Sequence, residues 1–262
     1  MANASPLPNS VSLAMQKRSE TQHRATMRPA GMPSSKPQKI AVFGGRGGGT
    51  HAAMTILNLS QAGQPYSFAG YLNDRLPIGT SIFAGNVLCR FDDWARLDED
   101  LFFLAPLHQA GRMQQNCARV IGLGVPNSRW ATVVDNRSSV AENSSIGRGS
   151  YVLPFASISP HSVIGAHCSL RHGARVGNDV TIGDFVFIAT NAIICSSSRV
   201  ESGAHIAPGA AIGNNLRVGR FAVVGLGAVV TKDVPDYAVV IGNPARVLRM
   251  IEPIDLPSWS LV

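Results

Sequence analysis

From Val134 to Val230 an aliphatic residue returns at every sixth position, seventeen times without a slip. Two positions before it sits a mostly small partner, as at Ser144, Ala156, Cys168, Ala174 and Ala204, and glycine often follows it, as at Gly147, Gly165, Gly183 and Gly213. A helix of ~3.6 residues per turn cannot hold that phase for about a hundred residues, whereas three six-residue sides closing a coil of about 18 residues can. The pattern predicts a parallel β-helix of about five to six coils. Each aliphatic stacks on its counterpart one coil away at ~4.8 Å, and the small residues fill the narrow interior. After Val230 the phase breaks at Lys232-Asp233-Val234-Pro235-Asp236, and residues 237–262 are expected to cap the coil and trail from it.

Residues 39–130 read differently. A short apolar strand, Ile40-Ala41-Val42-Phe43, enters Gly44-Gly45-Arg46-Gly47-Gly48-Gly49. A helix over 50–62, a strand over 67–72, a turn at Asn73-Asp74, a strand over 101–105 and a helix over 109–121 follow. The alternation predicts a small Rossmann-like parallel α/β sheet ahead of the β-helix at 131–236. The glycine turn admits a phosphate on its backbone N–H groups, a dinucleotide through Gly47-Gly48-Gly49-Thr50-His51-Ala52, or a purely structural role. A domain of about 90 residues is cramped for a dinucleotide fold, which favours the phosphate of a single nucleotide over a dinucleotide. Asn73 and Asp74 then lie within reach of its ribose or base.

Charge and cysteines exclude several functions. Of the formal net charge of +7, most lies in residues 1–39, where six basic residues face Glu20 alone. The remainder has no basic stripe of the kind nucleic-acid binding needs. No apolar run approaches the ~18 residues of a membrane span. Cys89, Cys117, Cys168 and Cys195 lack C-x-x-C spacing, and reduced thiols in a cytoplasm are expected. No histidine or cysteine set has metal-ligand spacing. Residues 1–38 read as a disordered basic tail, with a transit peptide or a later start at Met27 or Met32 as alternatives.

Taken together, the glycine turn (Gly44, Gly47, Gly49), the strand ending Tyr71-Leu72-Asn73-Asp74, the Ile182-Gly183-Asp184-Phe185 stretch and the close Gly242-Asn243-Pro244-Ala245-Arg246 carry a resemblance. They are similar to the sialic-acid O-acetyltransferase and bacillosamine N-acetyltransferase family of bacterial sugar acyltransferases. The resemblance implies a homotrimer of left-handed β-helices and acetyl-CoA, or another acyl-CoA, as donor. It also implies a nucleotide-linked sugar as acceptor at the N-terminal domain. Carried over by position, the donor runs past Ala207, Pro208 and Gly209 and past Gly225, Leu226 and Gly227, with Lys232 and Arg246 as candidates for its phosphates.

The sequence also departs from that family. The position of the family's catalytic histidine is Asn178, the acid before it is Gly177, and the second histidine, which contacts the donor, is Phe187. Asparagine cannot accept a proton at neutral pH. Residues 18 apart share a place on successive coils, which puts His161 one coil from Asp179 and beside Asn178, as a possible His–carboxylate base. It puts His205 over Phe187. His172 would reach the site only across a subunit boundary. Alternatives are a catalytically degenerate trimer acting as scaffold or ligand sensor, and an acyltransferase with another donor or a non-sugar acceptor.

Overall fold

A computed structural model of the chain describes residues 37–256; the basic-tail expectation for residues 1–36 lies outside the described residues. The N-terminal sheet is formed by β1 (Gln38–Phe43), β2 (Tyr66–Leu72), β3 (Ser81–Ile82), β4 (Gly85–Cys89) and β5 (Phe102–Leu104), in the order β3-β4-β2-β1-β5. Pairing is parallel across β4, β2, β1 and β5, as expected, but β3 and β4 form an antiparallel hairpin that makes the sheet mixed. Helix α1 (Gly48–Gln61) begins two residues earlier than the pattern predicts and buries Ala52, Ala53, Ile56 and Leu59 against the sheet. Helix α2 (Met113–Gly122) starts four residues later, because Pro106 to Arg112 run as an extended loop and turn. Phe43 anchors this half, with Phe91, Phe103 and Trp130 at centroid distances of 5.2, 5.4 and 5.8 Å. Ala131, Val133, Tyr151 and Leu153 of the first coils share its core.

The rest is a left-handed β-helix. Each of the seventeen periodic aliphatics is the second residue of a two-residue strand, from Val133–Val134 to Val229–Val230. Registers run at the expected spacing of 18, as in Leu170↔Ile188↔Ile206. Strands therefore fall into three parallel sheets, one per side of the coil. The aliphatics from Val152 onward are buried, together with the small residue two places before most of them. Buried serines two places before an aliphatic are satisfied within the interior: Ser150 Oγ donates to the Gly165 carbonyl (2.8 Å) and accepts from the Cys168 N–H (2.8 Å), and Ser162 does the same with Gly177 and Val180. Glycine after the aliphatic is a steric demand, since a Cβ on Gly147 would lie 2.5 Å from the backbone of Gly165 one coil above. The coil closes with Ala238–Ile241, parallel to the last full coil, and Arg246–Met250 folded back antiparallel on it. Gln114 of α2 ties down the segment beyond by bonds to Glu252 (3.0 Å) and Ile254 (2.9 Å). Among the described residues no helix is long and apolar enough to cross a membrane.

Candidate functional site

The glycine turn is held on both sides. Gly44 adopts φ 112° and donates its N–H to the Leu72 carbonyl (2.9 Å). A Cβ on Gly48 would lie 2.6 Å from the Pro106 carbonyl, and one on Gly45 would lie 2.9 Å from Asn73 Nδ2. Asn73 Nδ2 donates to the Gly44 carbonyl, and its Oδ1 accepts from the N–H groups of Arg75 and Leu76, all at 2.9 Å. Asp74 accepts from the Phe91 N–H (2.9 Å) and pairs with Arg119 (3.0 Å), which also holds Asp92 (2.7 Å). Asn73 thus braces the turn, while Asp74 stays exposed beside Arg119 and Phe91. Asn73→Ala is expected to cost about 1–3 kcal/mol through the carbonyl and amides it strands, measured by urea unfolding. Arg46 and Gly47 are exposed at the tip, while Gly45 and Gly49 are buried beneath it.

Stacking makes three corner columns. In the first, Asn143, His161, Asp179, Ser197 and Asn215 succeed one another, and from His161 upward each takes a left-handed φ of 57–61°. Asn143 Nδ2 approaches the His161 ring nitrogens at 3.2 Å. No hydrogen bond joins His161 to Asp179 among the described residues, so the expected His–carboxylate pair does not form. The spacing places their backbones correctly, but the exposed His161 side chain engages the coil below. Asn178, also exposed, is held through its backbone, its N–H donating to Ser196 Oγ (3.2 Å) and its carbonyl accepting from the Ser197 N–H (2.9 Å).

The second column carries the residues expected along the donor. His172, Thr190, Pro208 and Leu226 stack in one corner, joined by 3.0 Å backbone bonds from Asn191 to His172, Gly209 to Thr190 and Gly227 to Pro208. Ala207 is buried, Pro208 is exposed and Leu226 is 77% exposed, leaving an apolar knob. Gly225 is half-buried beside it, and Lys232 and Arg246 are exposed beyond. His172 has a neighbour that column spacing does not show. Within the chain it stands at a different corner from Asn178, and its ring meets His51, with centroids 5.7 Å apart and planes at 65°. Asp135, held by a forked pair of 2.9 Å bonds from Arg137, lies near enough to act on it. Burial holds His172 below the ordinary imidazole range, His51 and Arg171 add to the effect, and Asp135 opposes it.

A third group was not legible in the sequence beyond His205 over Phe187. These two rings stack at 4.6 Å, and His108 from the loop after β5 lies 5.6 Å from Phe187. His108 Nε2 hydrogen-bonds the His167 carbonyl (2.8 Å), and the His167 ring stacks on Phe185 at 4.6 Å. The Nδ1 atoms of His108, His167 and His205 are buried without a partner among the described residues. Burial pushes the three imidazoles down to about 3, about 4 and about 4 respectively. The four cysteines are free. Among the described residues no group of three or more His, Cys, Asp or Glu is placed to hold a metal ion.

Residues 143–178 match the bacterial transferase hexapeptide (six repeats) family. No curated protein sequence matches the chain. Among solved structures it is similar to the acetyltransferase domain of PglB from Neisseria gonorrhoeae FA1090, determined in complex with acetyl coenzyme A, at 26% identity and a TM-score of 0.70; the match covers 81% of this chain and 100% of that one. WeeI from Acinetobacter baumannii AYE is 28% identical with a TM-score of 0.69, covering 80% and 99% of the two chains. PerB from Caulobacter crescentus, in complex with CoA and GDP-perosamine, shares the fold at 20% identity and a TM-score of 0.66, over 83% and 99%. With a hexapeptide coil behind an N-terminal α/β sheet, the chain resembles the bacterial sugar acyltransferases in fold and in order of parts.

Proposed function

We propose that the protein transfers an acyl group, in the simplest case acetyl, from coenzyme A to an amino or hydroxyl group of a nucleotide-linked sugar for surface polysaccharide or glycan synthesis. One observation supports it above the others: the exposed corner of Pro208 and Leu226 descends through Thr190 to His172, which touches the first turn of the glycine-turn helix. A donor on the coil and an acceptor at the turn therefore approach each other within one chain. In this reading Ala207, Pro208, Gly225 and Leu226 flank the pantetheine arm, and Lys232 and Arg246 take its phosphates. The N–H groups from Gly45 to Gly49 take the phosphate of the sugar nucleotide. The protein works as a homotrimer in the cytoplasm. Bringing amine and thioester together supplies much of the rate.

The absence of histidine at Asn178 and Phe187 favours a second reading, a degenerate scaffold or ligand sensor. Calorimetric titration of the full chain with acetyl-CoA, followed by assay of thiol release with a panel of nucleotide sugars, separates the two. Binding near one site per subunit, with thiol release dependent on the sugar, is the expected result. Failure to bind at millimolar acetyl-CoA sinks the transferase reading with this donor.

A further inference from the structure

Two imidazoles stand where the donor corner meets the glycine turn. His172 lies in the column that continues below it to Pro154 and rises through Thr190 and Pro208 to Leu226, three coils and ~14 Å above it at ~4.8 Å per coil. His51 projects from the first turn of α1, and its Nδ1 lies 2.8 Å from the Gly47 carbonyl oxygen. A carbonyl only accepts, so Nδ1 carries the proton in that bond. The neutral ring then keeps its lone pair on Nε2, which has no partner among the described residues. This is the arrangement a general base requires, one ring nitrogen fixed by a backbone acceptor and the other open. The charged groups acting on His172 are Arg171, Asp135 and Arg137. His161 and Asn178, by contrast, occupy another corner and touch no residue of the glycine turn.

We propose that His51 is the general base that takes the proton of the acceptor amine, and that His172 is a positioning residue fixing the His51 ring beside the donor column. The proposal rests on the acyl-transfer reading. The amine lone pair attacks the thioester carbonyl carbon, forming the C–N bond. The proton lost from nitrogen passes to His51 Nε2, the C–S bond breaks, and the proton is handed to the departing sulfur, leaving an amide and free CoA thiol.

The test measures thiol release from acetyl-CoA with GDP-perosamine and with a UDP-linked 4-amino sugar, from pH 5 to 9. The variants are His51→Gln, His51→Phe and His172→Phe, each checked for its melting temperature. His51→Gln is expected to lower kcat about 100-fold or more, to abolish the acid limb of the kcat profile, and to leave calorimetric acetyl-CoA affinity unchanged. His172→Phe keeps ring contact and is expected to retain the acid limb, whereas His51→Phe loses it. A folded His51→Gln protein within threefold of wild type, or one with its acid limb intact, overturns the proposal. If the wild type releases no thiol with either sugar, the acyl-transfer reading fails instead. The His51 and His172 ring resonances then decide: movement on adding the sugars supports the pair's place at the acceptor, and fixed resonances refute it.

Discussion

Acidification from pH 7.5 to pH 5 is expected to remove about 6 kcal/mol of folding stability, about 2 kcal/mol from each of His108, His167 and His205. All three are held neutral by burial, with folded values of about 3, about 4 and about 4. An unfolded imidazole takes up its proton near pH 6.5. A depressed folded value means that the unfolded chain binds more protons than the native one below that pH. The stabilisation is therefore fully present above about pH 6.5, declines as pH falls, and levels off near the folded values. A domain stable by about 5–15 kcal/mol loses much of its margin over this range. Melting temperature followed against pH checks it, and His205→Phe, which keeps the stack on Phe187 and removes the orphaned Nδ1, should flatten the curve by about a third. An unchanged slope in that variant would show that the acid sensitivity arises elsewhere.

The second large effect lies in the coil interior. Ile188 is fully buried, with Leu170 and Ile206 as its register partners on the adjacent coils. Ile188→Ala is expected to cost about 2–5 kcal/mol, and Ile188→Val about 0.5–1.5 kcal/mol. Ile188→Asp should abolish the folded coil, because the carboxylate would enter a column of methyl groups with no donor to meet it. Denaturant midpoints for the first two and the loss of far-ultraviolet strand signal for the third provide the measurement. A folded aspartate variant would mean that side chains at this position can turn outward. Nearest-neighbour coupling between coils spreads the damage beyond the altered one.

The coil was legible in the sequence because its signal is local and repeated: every periodic aliphatic from Val134 to Val230 ends a short strand. The hairpin of β3 and β4 was not, since two residues at Ser81–Ile82 and a glycine-led strand at Gly85–Cys89 carry no alternation to read. Column arithmetic placed His205 over Phe187 and His161 beneath Asp179, because a spacing of 18 fixes backbone position. It did not fix side-chain direction at a left-handed corner, where His161 turns to Asn143. The contact of His51 with His172 joins residues far apart in the chain through packing of the α/β sheet on the first coils, and no periodicity encodes that. The same holds for His108, which a loop delivers to the rings of Phe187 and Tyr151.

The register of 18 gives this architecture a quantised ruler. Excising one whole coil, such as residues 181–198, would rejoin like with like on all three sides, whereas losing a single residue would throw every later column out of phase. Such an excision would draw Leu226 toward His172 by one strand spacing, ~4.8 Å, and leave the glycine turn untouched. The span between the two ends of the corner is thus set by an integer, so that insertion or loss of whole coils can retune the reach of the site without redesigning its chemistry.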